Sequence, residues 1–159
     1  MISRRKFIVL SAVGAVAAGA AVLGVLALPG EQRHSGLPSL RYGAERCAYC
    51  GMSIDDARFA AAWRDAEGNE QHFDDIGCMV NAGRKRDPGG DAEWFVHDFR
   101  DQSWLDAQSA TYVISDAIKT PMAYGLIAFS RADDAKARAG QGGIAFTWAG
   151  VLQNLERKG

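Results

Sequence analysis

The chain has few of the side chains that usually build a closed metal site. Its 159 residues include 3 cysteines and 3 histidines, and Cys47 and Cys50 form its single Cys-x-x-Cys pair. A structural zinc site usually takes four cysteine and histidine ligands, often from a second such pair. Zinc would therefore need Cys78 and a histidine as well, and Met52 would have no role in that scheme.

Long basic runs are also missing. Lys and Arg number 18 against 19 Asp and Glu, and the longest basic run after residue 30 covers residues 84–86. Residues 1–30 hold three of the basic and none of the acidic side chains, so the remainder has 15 basic and 19 acidic ones. This acidic balance argues against nucleic acid as a partner.

The N-terminus has the pattern of an export signal. Arg4, Arg5 and Lys6 precede an uncharged apolar run over residues 7–28. Such a pattern is typical of a twin-arginine signal, and we predict a signal or membrane anchor over residues 1–30 and a periplasmic location. At about 1.5 Å per helical residue the run could also cross a bilayer and tether the protein. No cysteine follows it closely, so a lipid anchor has no acceptor there.

A linker and one folded domain are predicted after the signal. Gly36, Pro38 and Gly43 indicate a linker over residues 31–43, and residues 44–159 are predicted to be the metal-binding domain. Strand, strand and helix occur twice in the residue pattern, with the first helix starting after Asp74 or Asp75. We therefore predict an α+β fold of two small ββα-type modules that share a core, preceded by the N-terminal signal or anchor helix.

Cys50, Gly51 and Met52 are the most informative triplet. A thiolate and a thioether two positions apart can close on one soft ion, because glycine between them takes backbone angles forbidden to other residues. Cu(I) is the first-row ion that best suits these donors, since it is soft and accepts low coordination numbers. The triplet therefore predicts a Cu(I) site.

Three further sulfurs are available to such a site. Met122 follows a proline in a loop between two predicted strands, and we expect it as a third ligand. Cys47 and Cys78 are expected as accessory ligands or transfer thiols. Cys78 should lie in the first helical turn, where the helix dipole is expected to lower the pKa of its thiol. Met79 is predicted to be core.

The histidines carry less weight than the sulfurs. His72 lies in a predicted strand and is expected to be exposed, although imidazole could serve as a further donor. A hydrogen bond to a neighbouring acid explains His97 as well as a metal would.

From Cys47 to about Trp148 the chain resembles the NosL family, copper-binding accessory proteins associated with nitrous oxide reductase maturation. The resemblance rests on motifs of matching order and spacing. These are Cys50-Gly51-Met52 and residues 104–107, 110–114, 121–123, 128–130 and 142–143. The resemblance implies a periplasm-facing domain that binds Cu(I) through Cys50, Met52 and Met122. Many members are lipoproteins, whereas this chain has the twin-arginine pattern instead.

A second resemblance covers a shorter stretch. Residues 47–78 are similar to metal-sensing and trafficking modules of the TRASH and YHS type, which pair Cys-x-x-Cys-Gly-Met with a later cysteine. This resemblance implies a site with more thiolates, in which Cys47 and Cys78 join Cys50.

The sequence as a whole predicts a copper chaperone and no enzymatic activity. The expected cargo is Cu(I), and the expected partner is copper-enzyme maturation machinery or a membrane transporter complex, with nitrous oxide reductase as the target. Two alternatives stay open, an exported thiol-disulfide oxidoreductase using Cys47 and Cys50, and a structural zinc-binding module.

Overall fold

The computed structural model describes residues 36–156, which form seven strands and three helices. In chain order these are β1 Ala61–Arg64, β2 Glu70–Phe73, α1 Ile76–Arg86, β3 Glu93–His97, β4 Trp104–Asp106, β5 Thr111–Ile114, β6 Leu126–Phe129, α2 Ala132–Ala139, β7 Ile144–Phe146 and α3 Trp148–Glu156. The prediction of a mixed α and β fold is confirmed. The predicted signal helix lies outside the described residues. Within residues 36–156 no helix has the length and apolar character to cross a membrane.

The first sheet is antiparallel with the order β2-β1-β3-β4. Its central strand β1 is buried along its whole length, because its residues are packed on both faces. β1 and β2 form an antiparallel hairpin, as the strand–strand–helix pattern predicts, with Ala61 opposite Phe73. Asp65 closes the turn by accepting the Asn69 N–H at 2.8 Å. This hairpin leads directly into α1.

The second sheet repeats this arrangement with the order β6-β5-β7. β5 and β6 form an antiparallel hairpin with Thr111 opposite Phe129, and β7 pairs on the other side of β5. α2 follows β6 as α1 follows β2. The two sheets meet where Asp98 bridges Ala128, and the Phe99 N–H donates to the Ala128 carbonyl at 2.8 Å.

Helix α1 packs its apolar stripe into the core. Ile76, Met79 and Val80 are buried as the helical spacing predicts. Asp75 caps the N-terminus, since its carboxylate accepts the Gly77 N–H at 2.9 Å. The helix starts directly after Asp75, as predicted, and ends before Asp87, where the Pro- and Gly-containing residues 87–90 predict its end.

The main core cluster contains residues of both sheets and of α1. The first sheet contributes Trp63 and Phe73, the second contributes Tyr112 and Leu126, and α1 contributes Met79. Each such side chain stabilises the fold by about 1.5–3 kcal/mol relative to exposure. The start of α1 is therefore held in a fixed place between the two sheets.

Two elements differ from the sequence-based expectations. β4 was not predicted, because a strand of three residues that pairs with β3 alone has too few positions to show alternation. The residue pattern predicts a terminal helix from Val151, whereas α3 starts at Trp148, because the Thr147 hydroxyl accepts the Gly150 N–H at 3.4 Å and caps the helix early.

Part of the predicted linker contacts the domain. The Gly36 carbonyl accepts from Arg64 at 3.0 Å, and the Ser39 N–H donates to Glu70 at 3.3 Å. Residues 31–35 and 157–159 lie outside the described residues, so the boundaries of the linker and of the domain over 44–159 stay predictions.

Candidate metal centre

A tight loop over residues 47–52 holds two of the three cysteines. The Cys47 N–H donates to the Met52 carbonyl at 2.8 Å, and the Gly51 N–H donates to the Cys47 carbonyl at 2.9 Å. Gly51 has a φ of +78°, a left-handed conformation that glycine adopts at little cost. The Cys50 N–H points at the Cys47 sulfur, 3.5 Å away. The loop therefore brings both sulfurs to the same side.

The start of α1 lies beside this loop. The Ala48 N–H donates to the carbonyl of His72 in β2 at 2.9 Å, which fastens the loop to the strand that leads into the helix. Asp74 and Asp75 form the junction between strand and helix. Both are buried, as is Cys78, the third residue of α1.

Four donor atoms converge where the loop meets the helix. One ligand atom each from Cys47, Cys50, Cys78 and Asp74 lies within 4.8 Å of all the others. In a tetrahedral zinc thiolate the sulfurs are about 3.8 Å apart, so a small inward shift would close these donors on one ion. Cys47 and Cys78 are buried, whereas Cys50 is partly exposed. We name these four residues the thiol cluster.

Asp74 is the member of the thiol cluster that the sequence reasoning missed. Both of its carboxylate oxygens lie 3.4 Å from the Cys50 sulfur, and the thiol donates to them. Its side chain is 2% exposed, and buried carboxylates are rare without a partner. The sequence signal for its role was the adjacent pair Asp74-Asp75. Only one of these two acids can cap the helix, so the other needs a different role.

The two predicted methionine ligands lie at the surface. Met52 is 45% exposed and Met122 is 37% exposed. Their backbones are tied to the site, since the Met52 carbonyl accepts from Cys47 and the Met122 N–H donates to Asp75 at 3.2 Å. The structure thus brings together the three predicted cysteines and places both thioethers on the solvent side. Which of the five sulfurs bind metal stays a prediction.

The sequence matches the family model of NosL over residues 42–154. The chain belongs to the NosL family. A crystal structure of the copper chaperone NosL from Shewanella denitrificans has a similar fold, with a TM-score of 0.59 and 19% identity over 70% of this chain and 92% of that chain. At this identity the structural likeness shows the fold alone. The search of curated proteins found no match.

The cysteines and methionines discussed above all lie within the region matched to NosL. The protonation of the three cysteine thiols follows from the geometry of the site. A hydrogen bond from Cys78 lowers the pKa of Cys47 to about 6, so Cys47 is a thiolate at neutral pH. Burial raises the pKa of Cys50 to about 11, so Cys50 keeps its proton. One negative sulfur with two protonated neighbours avoids placing three charges in one buried space.

The expectation for Cys78 was wrong in direction. Its pKa is raised, first because its thiol donates to the Cys47 sulfur, and further because it is buried beside Asp74. The dipole at the start of α1 is a smaller effect than these. In this NosL-family protein the buried loop thiol, and not the helix thiol, is therefore the one ionised without metal.

The histidines are engaged elsewhere. The His72 side chain is 13% exposed and not solvent-exposed as expected, because Glu45 covers it and bonds Nδ1 at 2.6 Å. His97 is buried, and its Nδ1 donates to the Gln102 carbonyl at 2.7 Å while Nε2 accepts from the Tyr42 hydroxyl. Within residues 36–156 no acid hydrogen-bonds to His97, so the expected acidic neighbour is replaced by Gln102 and Tyr42. Among the described residues, neither histidine joins the thiol cluster.

Proposed function

We propose that this protein is a periplasmic copper chaperone that holds Cu(I) in the thiol cluster and passes it to a copper-enzyme maturation partner. The observation that carries the proposal is the convergence of three cysteine sulfurs within 4.8 Å. Thiolates are the donors that Cu(I) prefers, and a d¹⁰ ion accepts two or three of them. Membership of the NosL family and the fold shared with a NosL copper chaperone support the same cargo.

The accessibility of the sulfurs supports transfer over permanent storage. Cys47 and Cys78 are buried, Cys50 is partly exposed, and Met52 is exposed. An incoming thiolate or imidazole can approach the ion from the side of Cys50 and Met52 while the buried sulfurs still hold it. We therefore assign Cys47 and Cys78 to retention, Cys50 to retention and exchange, and Met52 to exchange. The protein acts as a carrier, without catalysis.

The N-terminal pattern and the family support the proposed location and partners. The twin-arginine pattern supports export to the periplasm, with residues 7–28 as a cleaved signal or a membrane tether. The NosL resemblance supports maturation machinery for nitrous oxide reductase, or a membrane transporter complex, as recipient. Replacing Arg4 and Arg5 together by Lys should retain the protein in the cytoplasm. Undiminished export of that variant would contradict the assignment.

Zinc is a second candidate that Asp74 specifically favours. With Asp74, the thiol cluster has the four donors of a closed tetrahedral zinc site. The residue pattern alone did not identify Asp74 as the fourth donor. A carboxylate is a hard donor that suits zinc better than Cu(I). If zinc were the resident ion, its binding would contribute folding free energy, and the metal-free protein would be much less stable.

The oxidoreductase alternative fits the geometry less well. A reactive cysteine combines a low pKa with exposure. Here the two properties are divided, because Cys47 has the low pKa but is buried, and Cys50 is partly exposed but has a raised pKa. A disulfide substrate would therefore meet the protonated sulfur.

An anaerobic titration with Cu(I) against a competing chelator tests the proposed function. Wild-type protein should bind one Cu(I), and Cys50→Ser should weaken binding by at least about 100-fold because a retaining sulfur is lost. Ser53→Ala, exposed and directly after the loop, is the matched control and should bind as wild type. Wild-type affinity in Cys50→Ser would refute the ligand assignment, and failure of wild-type protein to compete for Cu(I) would refute the function.

A further inference from the structure

The loop between β5 and β6 reaches across to the start of α1. Within this loop, residues 120–125 are folded tightly, since the Ala123 N–H donates to the Thr120 carbonyl at 3.0 Å and the Gly125 N–H donates to the Thr120 hydroxyl at 3.3 Å. Met122 lies at the tip with its side chain exposed. We name residues 120–125 the methionine loop. It belongs to the second sheet, whereas the thiol cluster belongs to the first.

Asp75 joins the methionine loop to α1 through both of its carboxylate oxygens. Oδ1 accepts the Gly77 N–H at 2.9 Å, and Oδ2 accepts the Met122 N–H at 3.2 Å. The Thr120 side chain also hydrogen-bonds to this carboxylate. The Asp75 side chain is fully buried, so these bonds form without competition from bulk water.

A packing contact fixes the same two segments a second time. The Tyr124 ring lies so close to Gly77 that a Cβ on that glycine would be 2.2 Å from Cδ2 of the ring. The Tyr124 hydroxyl accepts from the Asn81 amide one turn further along α1 at 2.8 Å. The methionine loop therefore has a defined position over the first two turns of α1, the turns that carry Cys78.

We propose that Asp75 is a positioning residue that holds Met122 beside the thiol cluster, so that its thioether serves as an additional sulfur for the bound copper ion. Asp75 is adjacent in sequence to Asp74, a member of the cluster, and a methionine side chain has three rotatable bonds with which to reach the ion. The inference rests on the proposed function, because it assumes that the cargo is Cu(I). The resemblance to NosL already implies Met122 as a ligand, and the inference adds that Asp75 holds it in place.

The substitution Asp75→Asn separates the two roles of this residue. Asparagine is as good an N-cap as aspartate, so one oxygen can still accept the Gly77 N–H. The other position becomes an amide NH₂, a donor that cannot accept from Met122. The helix cap is kept and the tie to the methionine loop is lost. Met122→Leu removes the thioether itself with little change in volume.

A double-mutant cycle with these two changes tests the inference on anaerobic full-length protein. Asp75→Asn and Met122→Leu should each weaken Cu(I) binding by about tenfold, and each should remove one sulfur neighbour in copper X-ray absorption. The double variant should bind no more weakly than Met122→Leu alone, because both changes remove the same interaction. Zinc affinity should stay unchanged in all three variants, since thioethers are poor zinc ligands.

Several outcomes would overturn the inference without touching the proposed function. One is that Met122→Leu binds Cu(I) as tightly as wild type. Another is that Asp75→Asn has no effect where Met122→Leu has one. A third is that Asp75→Asn weakens zinc and Cu(I) equally and does so with or without Met122, which would make Asp75 a structural residue alone. Loss of Cu(I) binding by wild-type protein, in contrast, would remove the proposed function as well.

A second variant covers the case in which Asp75→Asn does not fold. Thr120→Val keeps the shape of the side chain and removes its hydrogen bonds to Asp75 and to the Gly125 N–H. It should lower Cu(I) affinity and the sulfur count in the same direction and leave zinc affinity unchanged. An unchanged sulfur count in a folded Thr120→Val variant, with Met122→Leu weakened, would overturn the inference.

Discussion

The two halves of the domain use one framework for different purposes. In each half a hairpin is followed by a helix and then by a strand that pairs on the far side of the first strand, in the orders β2-β1-β3 and β6-β5-β7. Phe73 and Phe129 each lie opposite the first residue of the central strand of their sheet, and each helix begins three residues later. The framework alone therefore does not determine chemistry.

The halves differ at two places. Between strand and helix the first half has Asp74 and Asp75, and the second half has Ser130 and Arg131. The hairpin turn spans residues 65–69 in the first half and residues 115–125 in the second. The first half thus supplies the donor atoms at its strand-helix junction, and the second supplies a long loop that reaches the same place. In the proposed site, metal binding would therefore draw on both halves together.

The pH dependence of metal binding gives the largest effect that the comparison predicts. Cys50 and Cys78 are protonated at neutral pH and Cys47, with a pKa of about 6, is not. Metal must displace two protons, so its affinity should rise about 100-fold per pH unit between pH 6.5 and 8.5, and more steeply below pH 6. Competition titrations at several pH values measure this slope.

The second half provides the control for that slope. Asp134 is the third residue of α2, as Cys78 is of α1, and it pairs with Arg100 instead of facing thiols. Asp134→Asn should leave the slope unchanged. A flat affinity between pH 6.5 and 8.5 in wild-type protein would contradict the assigned protonation.

Exchanging one junction residue between the halves sharpens the choice of metal. Asp74→Ser puts into the thiol cluster the serine that the second half has at the equivalent position, Ser130. Zinc affinity should fall by about 10- to 100-fold because the fourth donor is lost, and Cu(I) affinity should fall by less than about tenfold. Asp55→Ser, an exposed carboxylate near the same loop, should change neither. Equal losses for both ions would mean that Asp74 does not discriminate between them.

The contact between the halves should be visible in the stability of metal-free protein. Gly77→Ala forces the Tyr124 ring away from α1 and should cost about 1–3 kcal/mol in the free energy of unfolding, measured with urea. Asp133 is the second residue of α2 and is exposed, so Asp133→Ala should stay within about 0.5 kcal/mol of wild type.

A partner substitution shows whether that cost comes from the ring. Adding Tyr124→Leu to Gly77→Ala should restore part of the lost stability relative to the sum of the single changes. Additive losses would show that the methionine loop does not rest on α1 as described.

The smallest expected effect concerns the helix starts. Asp75 caps α1, whereas no described side chain caps α2, where Arg131 occupies the N-cap position with extended backbone. Arg131→Ser should therefore stabilise the protein by about 0.5–1 kcal/mol in urea unfolding. Arg131→Ala provides no cap and is the control. Equal stability of the two variants would show that the missing cap is not a weakness of the second half.

Local patterns predicted most of the fold. The hairpins and α1 follow from alternation, turn residues and helical spacing that lie within a few residues of one another. The three-residue strand β4 was beyond such patterns, since its pairing with β3 supplies its structure. The early start of α3 depends on a single hydroxyl of Thr147.

The candidate site was predictable in its residue types and less so in its charges. The motif indicated that Cys47, Cys50 and Cys78 belong together, and the structure places them together. Asp74 was missed because the sequence does not say which of two adjacent acids caps the helix. The raised pKa of Cys78 was missed because it depends on a thiol 31 positions away, and spacing carries no information on such a contact.

A direct competition between Cu(I) and zinc, read by X-ray absorption at both metal edges, tests the central claim most directly. Reduced protein given both ions in equal amounts under anaerobic conditions should retain one Cu(I) with sulfur neighbours alone. Retention of zinc by the three cysteines and Asp74, with copper left in solution, would contradict the account.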